Sequence, residues 1–137
     1  MYRWHNKMVT YLVNAFSLNM LNTDRLYMTI DRVDANKFCS ELRERINSGE
    51  LQNAIGHDST MSIVNSLCGV NMNVNRISVK ANNDDQLLII MIGERLQEGK
   101  VLSESEIKEM MNKGKVNFYI ANVRYNVNSS FPDSEGE

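Results

Sequence analysis

The sequence predicts a single α/β domain: one mixed β-sheet of about five strands, covered by helices. Three observations carry that expectation. Short apolar runs rich in strand formers share the chain with segments of helical periodicity. Strand-like runs outnumber helical ones, and neither an internal repeat nor an interdomain linker separates them. The 137 residues, 42% hydrophobic and 23% charged, suit one domain with a sizeable core.

Residues 1–7 (MYRWHNK) read as an N-terminal extension ahead of a domain spanning residues 8–123. Met8-Val9-Thr10-Tyr11-Leu12-Val13 is the first predicted strand, ending at Asn14, and the alternating run Leu26 to Val33 is the second. Asp34 then suits the N-cap of a helix through about Ile46. Phe38, Leu42 and Ile46 lie on one face of it, and Asn47-Ser48-Gly49 ends it. A second helix starts at or just after His57; Met61, Val64, Leu67 and Cys68 form its buried stripe and Gly69 its stop.

Arg76 to Ala81, the turn Asn82-Asn83-Asp84-Asp85, and Gln86 to Ile92 read as a hairpin. Its second arm is apolar on both faces and belongs at the centre of the sheet. Glu94 to Lys100 (ERLQEGK) is a polar connection, and Ser103 with Glu106 makes a capping box for a helix to Lys113, closed by Gly114. Val116 to Val123 is the last strand. Residues 124–137 form a polar, acidic tail with the only proline, expected to be disordered.

Composition narrows the function classes. No apolar run approaches the length of a membrane span, and Met1 to Lys7 lacks the apolar core of a signal peptide. The expectation is an intracellular protein with no membrane partner. Cys39 and Cys68 form no CxxC pair, so reduced structural thiols are expected. The formal net charge is −2, and without Asp133, Glu135 and Glu137 of the tail the body stands at +1. A sequence-blind binder of long nucleic acid needs a basic excess, which is absent here. A small anion held by a few placed arginines fits better.

His57, in Ala54-Ile55-Gly56-His57-Asp58-Ser59-Thr60 (AIGHDST), is the leading candidate for chemistry. Gly56 permits close backbone approach, Ser59 and Thr60 supply donors, and the helix start carries partial positive charge suited to a phosphate. A histidine beside a phosphate can hold a proton near neutral pH and pass it to a leaving oxygen. The plainer alternative is a helix-start residue that only caps or packs. Arg95 offers a planar fork for phosphate oxygens and Glu98 a group to orient a hydroxyl or the arginine itself, against the alternative of a solvated charged loop. Arg76 is a third cation or an exposed edge residue. Asp84 and Asp85 belong to a turn, and no Cys/His cluster or paired metal motif accompanies them, so neither metal nor cofactor is expected. His5 stands in no motif, and the methionines fall in apolar patterns as core filler.

Five segments taken together resemble one family. They are Tyr11 to Leu21 (YLVNAFSLNML), AIGHDST, Asn65 to Gly69 (NSLCG), Asn75 to Lys80 (NRISVK), and Glu94 to Leu102 (ERLQEGKVL). Their order and approximate spacing are similar to those of the viral ring nucleases, the type III anti-CRISPR proteins of archaeal viruses and some phages. The resemblance spans about Met8 to Val123; each piece is weak alone, and the five in register are specific.

The resemblance implies an α/β homodimer in the cytoplasm of a host cell. Such a dimer binds cyclic tetra-adenylate, the messenger of type III CRISPR defence, across its two-fold interface and cleaves it without metal. It makes His57 the general acid, with Arg95 and Glu98 as active-site partners. It makes Asn14, Ser17, Asn19, Ser59, Thr60 and Arg76 ligand contacts. Two rival classes remain at the level of sequence. One is a non-catalytic dimeric module that binds nucleic acid or protein; the other is a sponge that sequesters the cyclic nucleotide.

Overall fold

The computed structural model describes residues 8–22, 24–97 and 99–124. In chain order it contains β1 (Thr10–Val13), a 3₁₀ turn at Leu18–Met20, β2 (Met28–Val33), α1 (Ala35–Ser48), β3 (Leu51–Asn53), α2 (Asp58–Cys68), β4 (Gln86–Ile92), α3 (Glu104–Asn112) and β5 (Val116–Val123). The strands form one mixed sheet in the order β2-β5-β4-β1-β3. β4 is central because its side chains are apolar toward both faces, which favours a strand with a neighbour on each edge. It runs parallel to β1 and antiparallel to β5. β3 lies parallel to β1 at one edge, and β2 antiparallel to β5 at the other.

Strand alternation divides the core into two layers. Leu12, Leu88, Ile90, Phe118 and Ile120 point toward the three helices, where Phe38 and Leu42 of α1, Ile63 and Val64 of α2, and Ile107 of α3 complete the packing. Val13, Leu87, Ile89, Ala121 and Val123 face the other way. Irregular segments cover that second face, contributing Phe16, Met20, Leu21, Val79 and Ala81. Among the described residues, α-helices therefore cover one face of the sheet.

Local signals set the helix ends. The Asp34 carboxylate accepts the Lys37 backbone N–H at 2.8 Å, and Gly49 closes α1 in the left-handed region at φ 77°. Gly69 ends α2 in the same way. Both hydrogen bonds of the Ser103–Glu106 capping box form at the start of α3.

The expected hairpin does not form. Both edges of β4 are occupied, by β1 and β5, so residues 76–81 have no edge to pair with there. That segment crosses the second face instead, where Ala81 pairs with Leu21 in an isolated parallel bridge outside the five strands. The turn itself is present: the Asp85 N–H donates to the Asn82 carbonyl at 3.0 Å, and the Asp85 carboxylate accepts the Asn82 N–H at 2.8 Å. The fifth strand is β3, whose three residues Leu51-Gln52-Asn53 are too few to show a period.

The expected reduced thiols are also corrected. Cys39 and Cys68 form a disulfide across 29 residues, with Cα atoms 4.9 Å apart. Cys39 lies on the buried face of α1 and Cys68 ends α2, so packing of the two helices brings the sulfurs together. The expected N-terminal extension, residues 1–7, and residues 125–137 of the expected tail lie outside the described residues. Arg124, the first residue of that tail, is described, and its N–H donates to the Tyr27 carbonyl at 2.6 Å. Among the described residues, no helix is long and apolar enough to cross a membrane.

Candidate functional site

β1, β3 and β4 run parallel, so their carboxyl ends meet at one edge of the sheet. In α/β sheets that edge is where ligands collect. Asn14 follows β1, Ala54 to His57 follow β3, and Gly93 to Arg95 follow β4. Between them lies a cleft of ≈ 330 Å³ lined by Asn14, His57 to Thr60, Met91, Ile92, Glu94, Arg95, Leu96 and Gly99.

The route from β3 to α2 is held by side-chain amides. The Ile55 N–H donates to Asn53 Oδ1 at 3.1 Å, Asn75 Nδ2 donates to the Asn53 carbonyl at 2.8 Å, and the Asn75 N–H donates to the Ile55 carbonyl at 2.8 Å. Ile55 is fully buried and pins the turn to the core. His57 then takes the N-cap position with extended backbone, and its side chain makes no capping hydrogen bond. The ring is exposed at the rim of the cleft. The amides of Asp58, Ser59 and Thr60 have no carbonyl one turn earlier to bond, which leaves a locally positive helix end beside the imidazole.

Ser59 and Thr60 line the cleft but are only 3% and 5% exposed. Ser59 Oγ donates to the Gln97 carbonyl at 2.8 Å, tying the loop after β4 to the first turn of α2. Arg95 in that loop is exposed at the cleft. Glu98 lies outside the described residues.

A second cleft of ≈ 290 Å³ adjoins the first through Asn14, which lines both. Ser17, Asn19, Met20, Ala54, Ile77 and Lys80 are among its walls. The Ser17 hydroxyl accepts the Asn19 N–H at 3.2 Å and caps the 3₁₀ turn. Lys80 Nζ donates to the Asn19 carbonyl at 3.0 Å, and the Tyr11 hydroxyl donates to the Lys80 carbonyl at 3.4 Å. Burial, then the negative charge of Asp85, pushes the Tyr11 phenol up, so it stays protonated and remains a donor. Arg76 leans on Gly56, its Nε donating to the Gly56 carbonyl at 2.9 Å. This ties the Arg76 side chain to the residue that precedes His57 in the chain.

Sequence-predicted residues thus divide between two joined clefts. His57, Ser59, Thr60 and Arg95 line one, Ser17 and Asn19 the other, with Asn14 common to both. Arg76 attaches through Gly56. Lys80, Asp58 and Glu94 also face these clefts and were not singled out as site residues. Lys80 had a readable signal: it alternates with the buried Val79 at the end of NRISVK. Glu94 and Asp58 had none beyond adjacency to Arg95 and His57. Among the described residues, no group of three or more His, Cys, Asp or Glu side chains could hold a metal ion.

Comparison with known proteins gives a consistent picture. The STIV B116-like family model matches residues 10–120. ORF116 of Acidianus filamentous virus 1 is 40% identical over 116 residues, covering 85% of this chain and 97% of that protein. ORF117 of Acidianus two-tailed virus is 28% identical over 116 residues, covering 85% and 95% respectively. Among solved structures, B116 of Sulfolobus turreted icosahedral virus superposes with a TM-score of 0.79 at 51% identity, over 82% of this chain and 97% of that one.

Proposed function

We propose that this chain, which belongs to the STIV B116-like family, is a ring nuclease that opens cyclic tetra-adenylate without a metal. The observation that supports this reading best is a single cleft lined by an exposed imidazole, an arginine and the amide end of a helix. Those are the three kinds of group needed to cleave a phosphodiester by transfer to its own 2′-hydroxyl.

In this reading the ring's phosphate sits on the first-turn amides of α2, with Arg95 forked onto its free oxygens. The enzyme's main task is positioning, because each RNA linkage already holds its nucleophile beside the phosphorus. The 2′-oxygen attacks phosphorus in line with the 5′-oxygen, and its proton leaves to water. The bond from phosphorus to the 5′-oxygen breaks, and His57 donates a proton to that oxygen as it departs. Charge building on the phosphoryl oxygens is met by Arg95 and the amides. The product end is a 2′,3′-cyclic phosphate. Glu98 orients the hydroxyl or Arg95.

Asn14, Ser17 and Asn19 bind the neighbouring part of the ring along the second cleft, and Arg76 binds it from its place against Gly56. Ser59 and Thr60 contribute through their backbone, since their side chains are buried. A four-fold ring contains a two-fold axis, so a C2 dimer presents one His57 to each of two opposite linkages and releases two linear di-adenylates. An apolar depression beside the cleft supports such a dimer. Phe16, Ile30, Met91 and Tyr119 line it, and Met91 and Ile92 are shared with the cleft. Ile30 is 52% exposed and Met91 40%, surface that a second copy would cover. The site of action is the host cytoplasm, where removing the messenger would silence type III CRISPR immunity.

Incubation with cyclic tetra-adenylate, followed by chromatographic separation of the nucleotides, tests this directly. Linear di-adenylates with cyclic phosphate ends are expected. Intact ring retained on the protein would make it a sponge, and no association would end both readings.

A further inference from the structure

The segment carrying Arg95 is weakly attached to the rest of the molecule. At one end the Gly93 N–H donates to the Lys115 carbonyl at 2.6 Å; at the other Lys100 Nζ pairs with Glu106 at 3.1 Å. Between those anchors, among the described residues, the bond from Ser59 Oγ to the Gln97 carbonyl is the only hydrogen bond joining residues 94–97 to another element. Leu96 adds partial packing against the core. Among the described residues, Arg95 has no such anchor of its own. Ser59, by contrast, is fixed in the first turn of α2, 3% exposed and flanked by buried Thr60 and Met61.

We infer that Ser59 is a positioning residue: its hydroxyl latches the Arg95 segment to the helix start and holds the arginine in the cleft that His57 lines. This removes the Ser59 side chain from the set of direct ligand contacts. Its consequence for turnover rests on the ring-nuclease reading, while the latch itself does not. A neutral hydrogen bond of this kind favours the latched pose by roughly 2- to 10-fold.

Hydrogen exchange on the nucleotide-free protein reads the latch without any assumption about activity. The Lys100 N–H donates to the same Gln97 carbonyl at 3.2 Å, and Ser59→Ala should speed exchange of that amide by roughly 2- to 10-fold, with β4 and the later turns of α2 unchanged. Ser59→Cys, a weaker donor of similar size, should fall between parent and alanine variant. Gln97→Ala keeps the carbonyl and should behave as the parent. Unchanged exchange in Ser59→Ala would overturn the latch, and uniform acceleration would make Ser59 a general stability residue instead.

On cyclic tetra-adenylate, Ser59→Ala should slow turnover by a similar factor, and should add nothing when Arg95→Ala is already present. Additive losses would mean that Ser59 touches the ring directly. A parent that left the ring intact would sink the proposed function while the exchange result still judged the latch.

Discussion

Arg76 and Gly56 are in such close contact that residue 56 has no room for a side chain. Arg76 Nε donates to the Gly56 carbonyl at 2.9 Å, and a Cβ on residue 56 would lie 2.6 Å from Arg76 Cγ. The clash falls on the base of the arginine side chain, which cannot swing aside without moving the guanidinium. Gly56→Ala should therefore displace Arg76 and weaken binding of cyclic tetra-adenylate by about 10-fold or more, the range for losing a charged hydrogen bond. Titration of the ring against the His57→Ala background, where little cleavage intervenes, gives the dissociation constant. Equal affinity with and without the Cβ would take Arg76 out of the ligand site.

His57→Ala should slow cleavage by ~10²–10⁴ while the ring still binds, since the imidazole acts on the leaving oxygen rather than on the bound ground state. The imidazole makes no capping hydrogen bond, so its loss should leave α2 intact. Single-turnover rates at saturating protein separate the step from binding. Parental rates in this variant would reject the general acid.

Arg95→Ala should lower both affinity and turnover, because a guanidinium on the phosphate acts in the bound state and in the transition state alike. Turnover of the parent should survive excess chelator. Lost activity under chelation would require a metal in the chemistry after all.

Breaking the Cys39–Cys68 bond should destabilise the fold without abolishing cleavage at moderate temperature. A loop closed over 29 residues corresponds to about 3–4 kcal/mol of unfolded-state entropy, or a fall in melting temperature on the order of 10 °C. Both sulfurs are buried, so the Cys39→Ser/Cys68→Ser double variant is a cleaner test than added reductant. Identical thermal unfolding of parent and variant would show that the bond contributes nothing.

Glu106 ties the capping box to Lys100, and its carboxyl is held below the usual carboxylate range. The Ser103 backbone N–H is the largest cause, followed by Lys100 and the Ser103 hydroxyl. With the folded value below the unfolded one, its contribution is present above the ordinary carboxylate range and fades as pH falls through the folded value. Protection of the first α3 amides should therefore drop in acid, and Glu106→Gln should remove most of that dependence. A variant with the parental acid profile would show that another group controls it.

The sequence alone determined whatever depends on neighbours a few residues apart. Asp34 and Lys37, Gly49, Gly69, and the Ser103–Glu106 pair set helix ends through contacts within one turn, so those boundaries were readable. The apolar character of Gln86 to Ile92 likewise placed β4 at the centre, because burial on both faces is a property of the strand itself. Only the tertiary structure decided the remainder. Residues 76–81 alternate like a strand, yet β1 and β5 had already taken both edges of β4. Cys39 meets Cys68, and Ser59 meets Gln97, because elements far apart in the chain pack together, and local spacing carries no record of those encounters.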